Sequence, residues 1–159
     1  MQGYTKFYDA INGINLNDEV AVNEALKKAG LFSKTQLFPL MSLHFELTSH
    51  CNMFCKHCYN NSGANNNLSD AMTAEKWIDF AKYLVERGGV FECLLSGGEP
   101  FLLGEKLFEL MDILDNDGTI FLLMTNGYFL TEDKVRRLKN YHYHWLQISI
   151  DGFTAEYHD

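Results

Sequence analysis

The sequence predicts an α/β fold in which parallel strands alternate with helices. Four short apolar runs have the length and composition of strands, and the intervals between them show apolar residues at helical spacing. Two of these runs, Val90–Ser96 and Thr119–Thr125, are almost continuously apolar, which is typical of parallel strands covered on both faces. Right-handed crossovers in the order βαβαβαβ leave two architectures open, a barrel or a doubly wound sheet.

The predicted strands are Leu43–Thr48, Val90–Ser96, Thr119–Thr125 and His144–Ile150. Capping residues and stop signals delimit the three helices between them. Thr73 is the predicted N-cap of the first helix, which ends at the glycines 88–89. The second carries apolar residues over 107–114 and ends at the Asn-Asp-Gly run 116–118, and Thr131 caps the third. Each helix therefore has one apolar face to pack on a sheet.

A further helix is predicted before the first strand. Asn17 is its expected N-cap, and the helix Asp18–Ala29 has acidic residues in its first turn, lysines near its end and Gly30 as its stop. We therefore divide the chain into a helical N-terminal extension, residues 1–40, and a region of alternating strands and helices, residues 41–159. Because the sequence ends directly after the fourth strand, we expect a longer parent protein, and we expect this fragment alone to be inactive.

Composition disfavours two classes of partner. Lysine and arginine number 13 against 21 acidic residues, and a net charge of −8 argues against a broad phosphate-binding surface and hence against nucleic acid. No window reaches the roughly 18 apolar residues of a membrane span, and residues 1–10 lack the pattern of a secretory signal. We therefore expect a cytoplasmic protein without a membrane partner.

Three of the four cysteines, Cys51, Cys55 and Cys58, lie within eight residues directly after the first strand. This crowding, in a chain without a signal, favours a metal in a reducing compartment over disulfides. Three thiolates can hold an iron–sulfur cluster and leave one iron of a cubane open to a ligand that is not protein. The fourth, Cys93, lies inside an apolar strand, where we expect a small buried residue.

Two other interpretations use the same cysteines. They could bind structural zinc together with a nearby histidine, for which His44, His50 and His57 are the candidates. Alternatively, Cys55 and Cys58 could form a redox dithiol after a strand, although that hypothesis leaves Cys51 without a role.

A second motif decides between these interpretations. Cys51-x3-Cys55-x2-Cys58 after the first strand, followed by Gly97-Gly98-Glu99-Pro100 after the second, resembles the radical S-adenosylmethionine (SAM) superfamily. The resemblance covers about residues 41–152 and implies a partial (β/α)6 TIM-like barrel, of which the first four β/α units are present. Residues 47–52 and 57–60 look most like the SPASM or twitch-type branch, whose members modify peptides and proteins.

The resemblance implies two cofactors, a 4Fe-4S cluster and S-adenosyl-L-methionine. In this family the three cysteines hold the cluster, and its open iron chelates the amino and carboxylate groups of SAM. Reductive cleavage then releases methionine and a 5′-deoxyadenosyl radical, which abstracts hydrogen from the substrate. A reductant such as flavodoxin or ferredoxin is therefore an expected partner.

The branch resemblance also implies a substrate class. We expect a peptide or protein side chain, such as that of a ribosomal precursor peptide, modified by crosslinking, thioether formation or oxidation. The alternative within the superfamily is a small molecule, as in the molybdopterin-precursor cyclase. The helix Asp18–Ala29 has a further interpretation as part of a leader-peptide-binding module, although residues 1–40 are too few for a whole one.

Motif by motif, the resemblance also indicates residues that contact SAM. His57 takes a position that is usually aromatic and close to the adenine. Gly97 and Gly98 allow close approach of the backbone to the ligand, Glu99 can accept a hydrogen bond from its ammonium group, and Pro100 fixes the turn.

Three more candidates lie where the third and fourth strands end, at the edge from which barrels collect their ligands. Ser149 is favoured for the carboxylate or ribose of SAM. For Asn126 and Asp151 two roles are equally favoured: each could contact SAM, or each could merely cap a turn. The sequence assigns no catalytic base.

Overall fold

The computed structural model describes residues 9–30, 40–63, 69 and 72–158. Parts of the predicted N-terminal extension, residues 1–8 and 31–39, lie outside the described residues. The helices and strands, in chain order, are α1 (Glu19–Lys28), β1 (Leu40–Glu46), α2 (Ala74–Glu86), β2 (Val90–Ser96), a 3-10 helix (Pro100–Leu103), α3 (Glu105–Asn116), β3 (Ile120–Thr125), α4 (Glu132–Leu138), β4 (Tyr143–Ile148) and α5 (Ala155–His158).

The four strands form one parallel sheet in the order β1-β2-β3-β4. Each strand pairs with the one before it, so the sheet winds in a single direction and its strand order never reverses. Sequential winding of this kind is how a β/α barrel is built, whereas a doubly wound sheet has a switch point in its strand order. The predicted α/β class is confirmed, and of the two open architectures the strand order is that of a barrel.

The hydrophobic core lies between one face of the sheet and the helices α2 and α3. Phe45, Leu95 and Leu123 are paired neighbours towards the carboxyl ends of three adjacent strands and are almost completely buried. The apolar face predicted for α3 is confirmed, and its buried residues are Leu107, Phe108, Leu110, Met111 and Leu114. Cys93 is also fully buried in this core, as expected.

The helix boundaries confirm most of the predicted caps and correct one. Thr73 and Thr131 cap α2 and α4, since each side-chain oxygen accepts a backbone N–H three residues on, both at 3.4 Å. Asn17 is wrong as the cap of α1. Asp18 takes that place, with Oδ1 accepting the N–H of Ala21 at 3.1 Å. A carboxylate is the better group here because its charge also interacts with the positive end of the helix dipole.

Strand ends differ from the prediction where the chain turns into the loops. β1 ends at Glu46, two residues before the predicted Thr48, and β4 ends at Ile148 rather than Ile150. Ser149 still donates its N–H to the carbonyl of Thr125 at 2.9 Å, so the loop after β4 starts against the end of β3. Among the described residues, no helix is both long enough and apolar enough to cross a membrane.

The packing of α3 yields a stability prediction. Leu110 has no exposed surface, so Leu110→Ala leaves a cavity and is expected to lower the free energy of unfolding by about 2–5 kcal/mol. Leu102, at 43% exposed, is the matched control, and Leu102→Ala is expected to cost less than about 1 kcal/mol. Urea unfolding followed by circular dichroism measures both. Equal losses in the two variants would contradict the assigned core.

Candidate cofactor and metal site

The predicted site residues gather at one edge of the sheet. Because the strands are parallel, the loops after β1, β2, β3 and β4 all begin at the same edge. These loops carry the cysteines (51–58), the glycine turn (97–100), Asn126 and the segment 149–151, respectively.

The cysteine loop presents three free thiols. Cys55 is exposed, whereas Cys51 and Cys58 are partly buried. A backbone hydrogen bond of 3.2 Å from Cys58 N–H to Cys55 O folds the loop into a turn. Burial raises the pKa of the Cys55 thiol, and nearby negative charge on Asp151, Cys51 and Cys58 raises it further. A bound cation would offset that repulsion and favour the thiolates.

The donor set of this loop fits an iron–sulfur cluster. Its three sulfurs are soft thiolate ligands, and in a cubane each binds a different iron. Over the described part of the chain, no three His, Cys, Asp or Glu side chains converge on the position of one metal ion. Ligands that bind separate irons do not have to converge in that way.

The glycine turn packs directly on the backbone of the cysteine loop. Gly98 N–H donates to Thr48 O at 2.6 Å, and Glu99 N–H donates to His50 O at 2.9 Å. A Cβ atom at Gly98 would lie 1.9 Å from His50 O, and one at Gly97 would lie 2.5 Å from Thr48 O. Any larger residue would therefore displace the cysteine loop. The predicted contact of these glycines with SAM stays a prediction. The structure adds a second reason for glycine at both positions, which is the close packing of the cysteine loop against them.

Glu99 lies beneath the site and has no exposed surface. Its Oε1 accepts hydrogen bonds from Phe101 N–H at 3.1 Å and Thr125 Oγ1 at 2.8 Å, and its Oε2 accepts one from Asn126 N–H at 2.8 Å. The carboxylate thus ties the end of β2 to the end of β3. A carboxylate has about four lone-pair positions, so these bonds leave one unused on Oε2. Its predicted bond to the ammonium of SAM stays a prediction.

Asn126 links the end of β3 to the cysteine loop. Its Nδ2 donates to Asn52 Oδ1 at 2.9 Å and to Cys51 Sγ at 3.6 Å. Its Oδ1 accepts the N–H of Tyr128 at 2.9 Å. The side chain therefore caps a turn, which was one of its two predicted roles, and also contacts a residue expected to hold the cluster.

His57, within the cysteine loop, lies close to Asp151 in the loop after β4. His57 Nε2 lies 3.3 Å from Asp151 Oδ2. Both line a cleft of about 800 Å³, a volume typical of a cofactor site. The cleft is lined by Met53, Phe54, Cys55, Lys56, His57, Asp151 and Tyr157. Ser149 is exposed after β4 and is not one of the described residues that line it.

Sequence reasoning missed a polar network on the sheet face opposite the core. Glu92 accepts a hydrogen bond from Ser42 Oγ at 3.3 Å, and its other oxygen lies 3.2 Å from His144 Nδ1. Tyr59 OH donates to Glu46 Oε1 at 3.1 Å and so connects this face to the cysteine loop. The alternation of polar and apolar residues over 42–47 was the available signal. In a barrel this face is the interior.

A comparison with models of known protein families identifies the family to which this chain belongs. The model of the radical SAM superfamily matches residues 45–159. This chain belongs to the radical SAM superfamily. The superfamily resemblance found in the sequence is thereby confirmed, and the two predicted cofactors, a 4Fe-4S cluster and SAM, are those of this family.

Two curated relatives show how far the similarity extends. The chain is 36% identical over 118 residues to the AdoMet-dependent heme synthase of Methanosarcina barkeri, covering 72% of this chain and 32% of the relative. It is 29% identical over 157 residues to the antilisterial bacteriocin subtilosin biosynthesis protein AlbA of Bacillus subtilis, covering 96% of this chain and 34% of the relative. The chain thus spans about a third of the length of these relatives.

Solved structures confirm the predicted barrel fold. Native anSMEcpe with bound AdoMet superposes with a TM-score of 0.57 at 26% identity, over 76% of this chain and 34% of that one. SuiB of Streptococcus suis, bound to S-adenosylmethionine, shares the fold with a TM-score of 0.59 at 19% identity, over 99% of this chain and 36% of that one. The structure is thus a partial TIM-like barrel with four β/α units.

The close packing of the glycine turn generates a prediction for the intact protein. Gly98→Ala is expected to lose most of the iron bound after anaerobic reconstitution, because its Cβ would push His50 and the cysteine loop away. In Gly118→Ala an added Cβ meets nothing within 4 Å, so this control should keep the parent's iron despite its strained φ of +93°. Iron and acid-labile sulfide assays measure both. Parental iron content in Gly98→Ala would refute the proposed packing role.

Proposed function

We propose that the intact protein is a radical SAM enzyme that modifies the side chain of a ribosomal peptide or protein. The observation that carries this proposal is the loop of three free thiols, Cys51, Cys55 and Cys58, held against the Gly97–Gly98 turn at the carboxyl edge of a barrel sheet. When bound, the 4Fe-4S cluster and SAM supply an electron and a 5′-deoxyadenosyl radical that abstracts hydrogen from the substrate.

The chain's own part in this chemistry is to bind, orient and exclude water. Cys51, Cys55 and Cys58 hold the cluster, and the glycine turn fixes their loop. The cleft beside His57 and Asp151 takes the adenosine part of SAM, because an imidazole ring can stack on adenine and a carboxylate can accept ribose hydroxyl protons. A radical formed there must be kept from water, and in the intact protein the remainder of the barrel would provide that enclosure.

The remaining predicted contacts surround the amino-acid part of SAM. Gly97, Gly98 and Glu99 offer carbonyl and carboxylate oxygens to the ammonium group, and Ser149 lies at a neighbouring strand end, where the carboxylate can be reached. Asn126 borders the same part of the site, but its amide hydrogens are directed to Asn52 Oδ1 and Cys51 Sγ. Glu99 would use its unused acceptor position on Oε2.

A peptide substrate is supported by the extent of the AlbA similarity. That alignment covers 96% of this chain and so includes most of residues 1–40, whereas the heme synthase alignment covers 72%. AlbA is a bacteriocin biosynthesis protein by name. We therefore assign residues 1–40 as a helical extension that contributes to peptide recognition, and residues 41–159 as the N-terminal part of a SPASM or twitch-type radical SAM enzyme. A flavodoxin or ferredoxin would supply the electron.

A small-molecule substrate is the second candidate. It is favoured by the higher identity, 36%, to a heme synthase. The polar face with Glu92 and His144 would suit either substrate, because it offers acceptors and donors to any polar group in the barrel.

If Cys51, Cys55 and Cys58 are the cluster ligands, the cluster depends on these three cysteines and not on Cys93. Cys51→Ala, Cys55→Ala and Cys58→Ala in the intact protein are each expected to abolish the visible absorbance of the cluster and the formation of 5′-deoxyadenosine. Cys93→Ala is the control, because Cys93 is buried in the core and away from the loop. A Cys55→Ala protein with the parental cluster, or one mole of zinc in place of iron, would contradict the assignment.

The substrate class can be tested separately. The reduced intact protein is incubated with SAM and with a short peptide encoded beside its own gene. We expect a mass loss of hydrogen atoms in the peptide and, with a deuterated peptide, deuterium in 5′-deoxyadenosine. Formation of 5′-deoxyadenosine with an unchanged peptide would favour the small-molecule alternative.

A further inference from the structure

The sulfur of Cys51 accepts two N–H groups of the chain. Met53 N–H lies 3.4 Å from it within the cysteine loop, and Asn126 Nδ2 reaches it at 3.6 Å from the end of β3. The first bond is local to the loop. The second comes from residue 126, which is 75 positions away in sequence, and it therefore depends on the fold.

The orientation of the Asn126 amide is fixed by its other partners. Tyr128 contributes a backbone N–H, which can only donate, so the amide atom 2.9 Å from it is the oxygen. The other terminal atom is then the NH2 group, and its two hydrogens have two acceptors, Asn52 Oδ1 and Cys51 Sγ. A flipped amide would place its oxygen against Asn52 Oδ1 and, once Cys51 binds iron as a thiolate, against a sulfur, neither of which has a hydrogen to offer.

The backbone of Asn126 is held just as firmly. Its N–H donates to Glu99 Oε2 at 2.8 Å, and the fully buried Glu99 is fixed in turn by Thr125 Oγ1 and Phe101 N–H. Thr125 Oγ1 also accepts Gly127 N–H at 3.1 Å, which fixes the chain on the far side of Asn126. The Asn126 amide is therefore a preorganised donor aimed at the sulfur, and Glu99 acts as its positioning residue.

We propose that Asn126 raises the reduction potential of the cluster by donating an N–H···S hydrogen bond to Cys51. This inference rests on the proposed function, because it requires the cluster. An N–H dipole directed at a ligand sulfur stabilises the more electron-rich, reduced state, and hydrogen bonds to the sulfurs are among the factors that set iron–sulfur potentials. A less negative potential makes the cluster easier to reduce by its electron donor.

The test compares two substitutions of one residue with a control of equal charge. Asn126→Asp keeps an oxygen for Tyr128 N–H but replaces the donor with an anionic oxygen, and Asn126→Leu removes both groups. Asn140→Asp adds the same charge at an exposed position before β4, at the opposite end of the sheet. Each intact protein is reconstituted and assayed for iron, and its midpoint potential is determined by titration followed by electron paramagnetic resonance.

We expect parental iron content in all three variants and a more negative midpoint potential in both Asn126 variants, with the larger shift for Asn126→Asp. Asn140→Asp should match the parent. Pulsed resonance of the reduced parent should also show an exchangeable proton coupled to the cluster that is missing from Asn126→Leu.

Parental potentials in both Asn126 variants would overturn the inference. Loss of iron from both would overturn it as well, because Asn126 would then serve assembly of the site. A shifted potential without SAM cleavage would leave the inference standing and count against the proposed function. A parent that binds no cluster would refute both, and the iron assay alone would show it.

Discussion

The site depends on one contact, the packing of the glycine turn on the backbone of the cysteine loop. Two hydrogen bonds, Gly98 N–H to Thr48 O and Glu99 N–H to His50 O, join the ends of β1 and β2 directly before the first cysteine. They are possible only because positions 97 and 98 lack a Cβ. The loop that carries the thiols thus starts from a fixed point, although residues 54–57 in its middle are exposed.

Glu99 extends that contact to the third strand. A buried carboxylate is costly unless its oxygens are hydrogen-bonded, and here they accept three bonds from the chain. Two of the donors, Thr125 Oγ1 and Asn126 N–H, come from the end of β3. Removing the carboxylate would leave these donors buried without partners, so Glu99 stabilises the arrangement of three loops in addition to any contact with SAM.

The sequence was sufficient for the elements with strong local signals. β2 has both predicted ends, because its apolar run is bounded by glycines on each side, and the apolar face of α3 is buried as its periodicity indicates. The N-cap of α1 was wrongly predicted because Asn17 and Asp18 are adjacent and both are residue types that favour this position. Only the observed hydrogen bond identifies Asp18 as the cap. The end of β1 was misplaced because Thr48 leaves the strand to bind the glycine turn, which no local pattern records.

The candidate site was predictable as a set of motifs but not as a network. Spacing in the sequence identified the cysteines and the glycine turn. In contrast, the buried Glu99 is hydrogen-bonded to Thr125, 26 positions later in the sequence, and Asn126 contacts Cys51 across 75 positions. These pairings follow from the strand order, which brings distant loops to one edge.

The central claim is that this edge holds a cluster with one iron open to SAM. Mössbauer spectroscopy of the intact protein reconstituted with ⁵⁷Fe, with and without SAM, tests it most directly. We predict that SAM changes the signal of one iron of the cluster and leaves the cysteine-bound irons unchanged. Iron signals that do not respond to SAM, or a protein that binds no iron, would contradict the account.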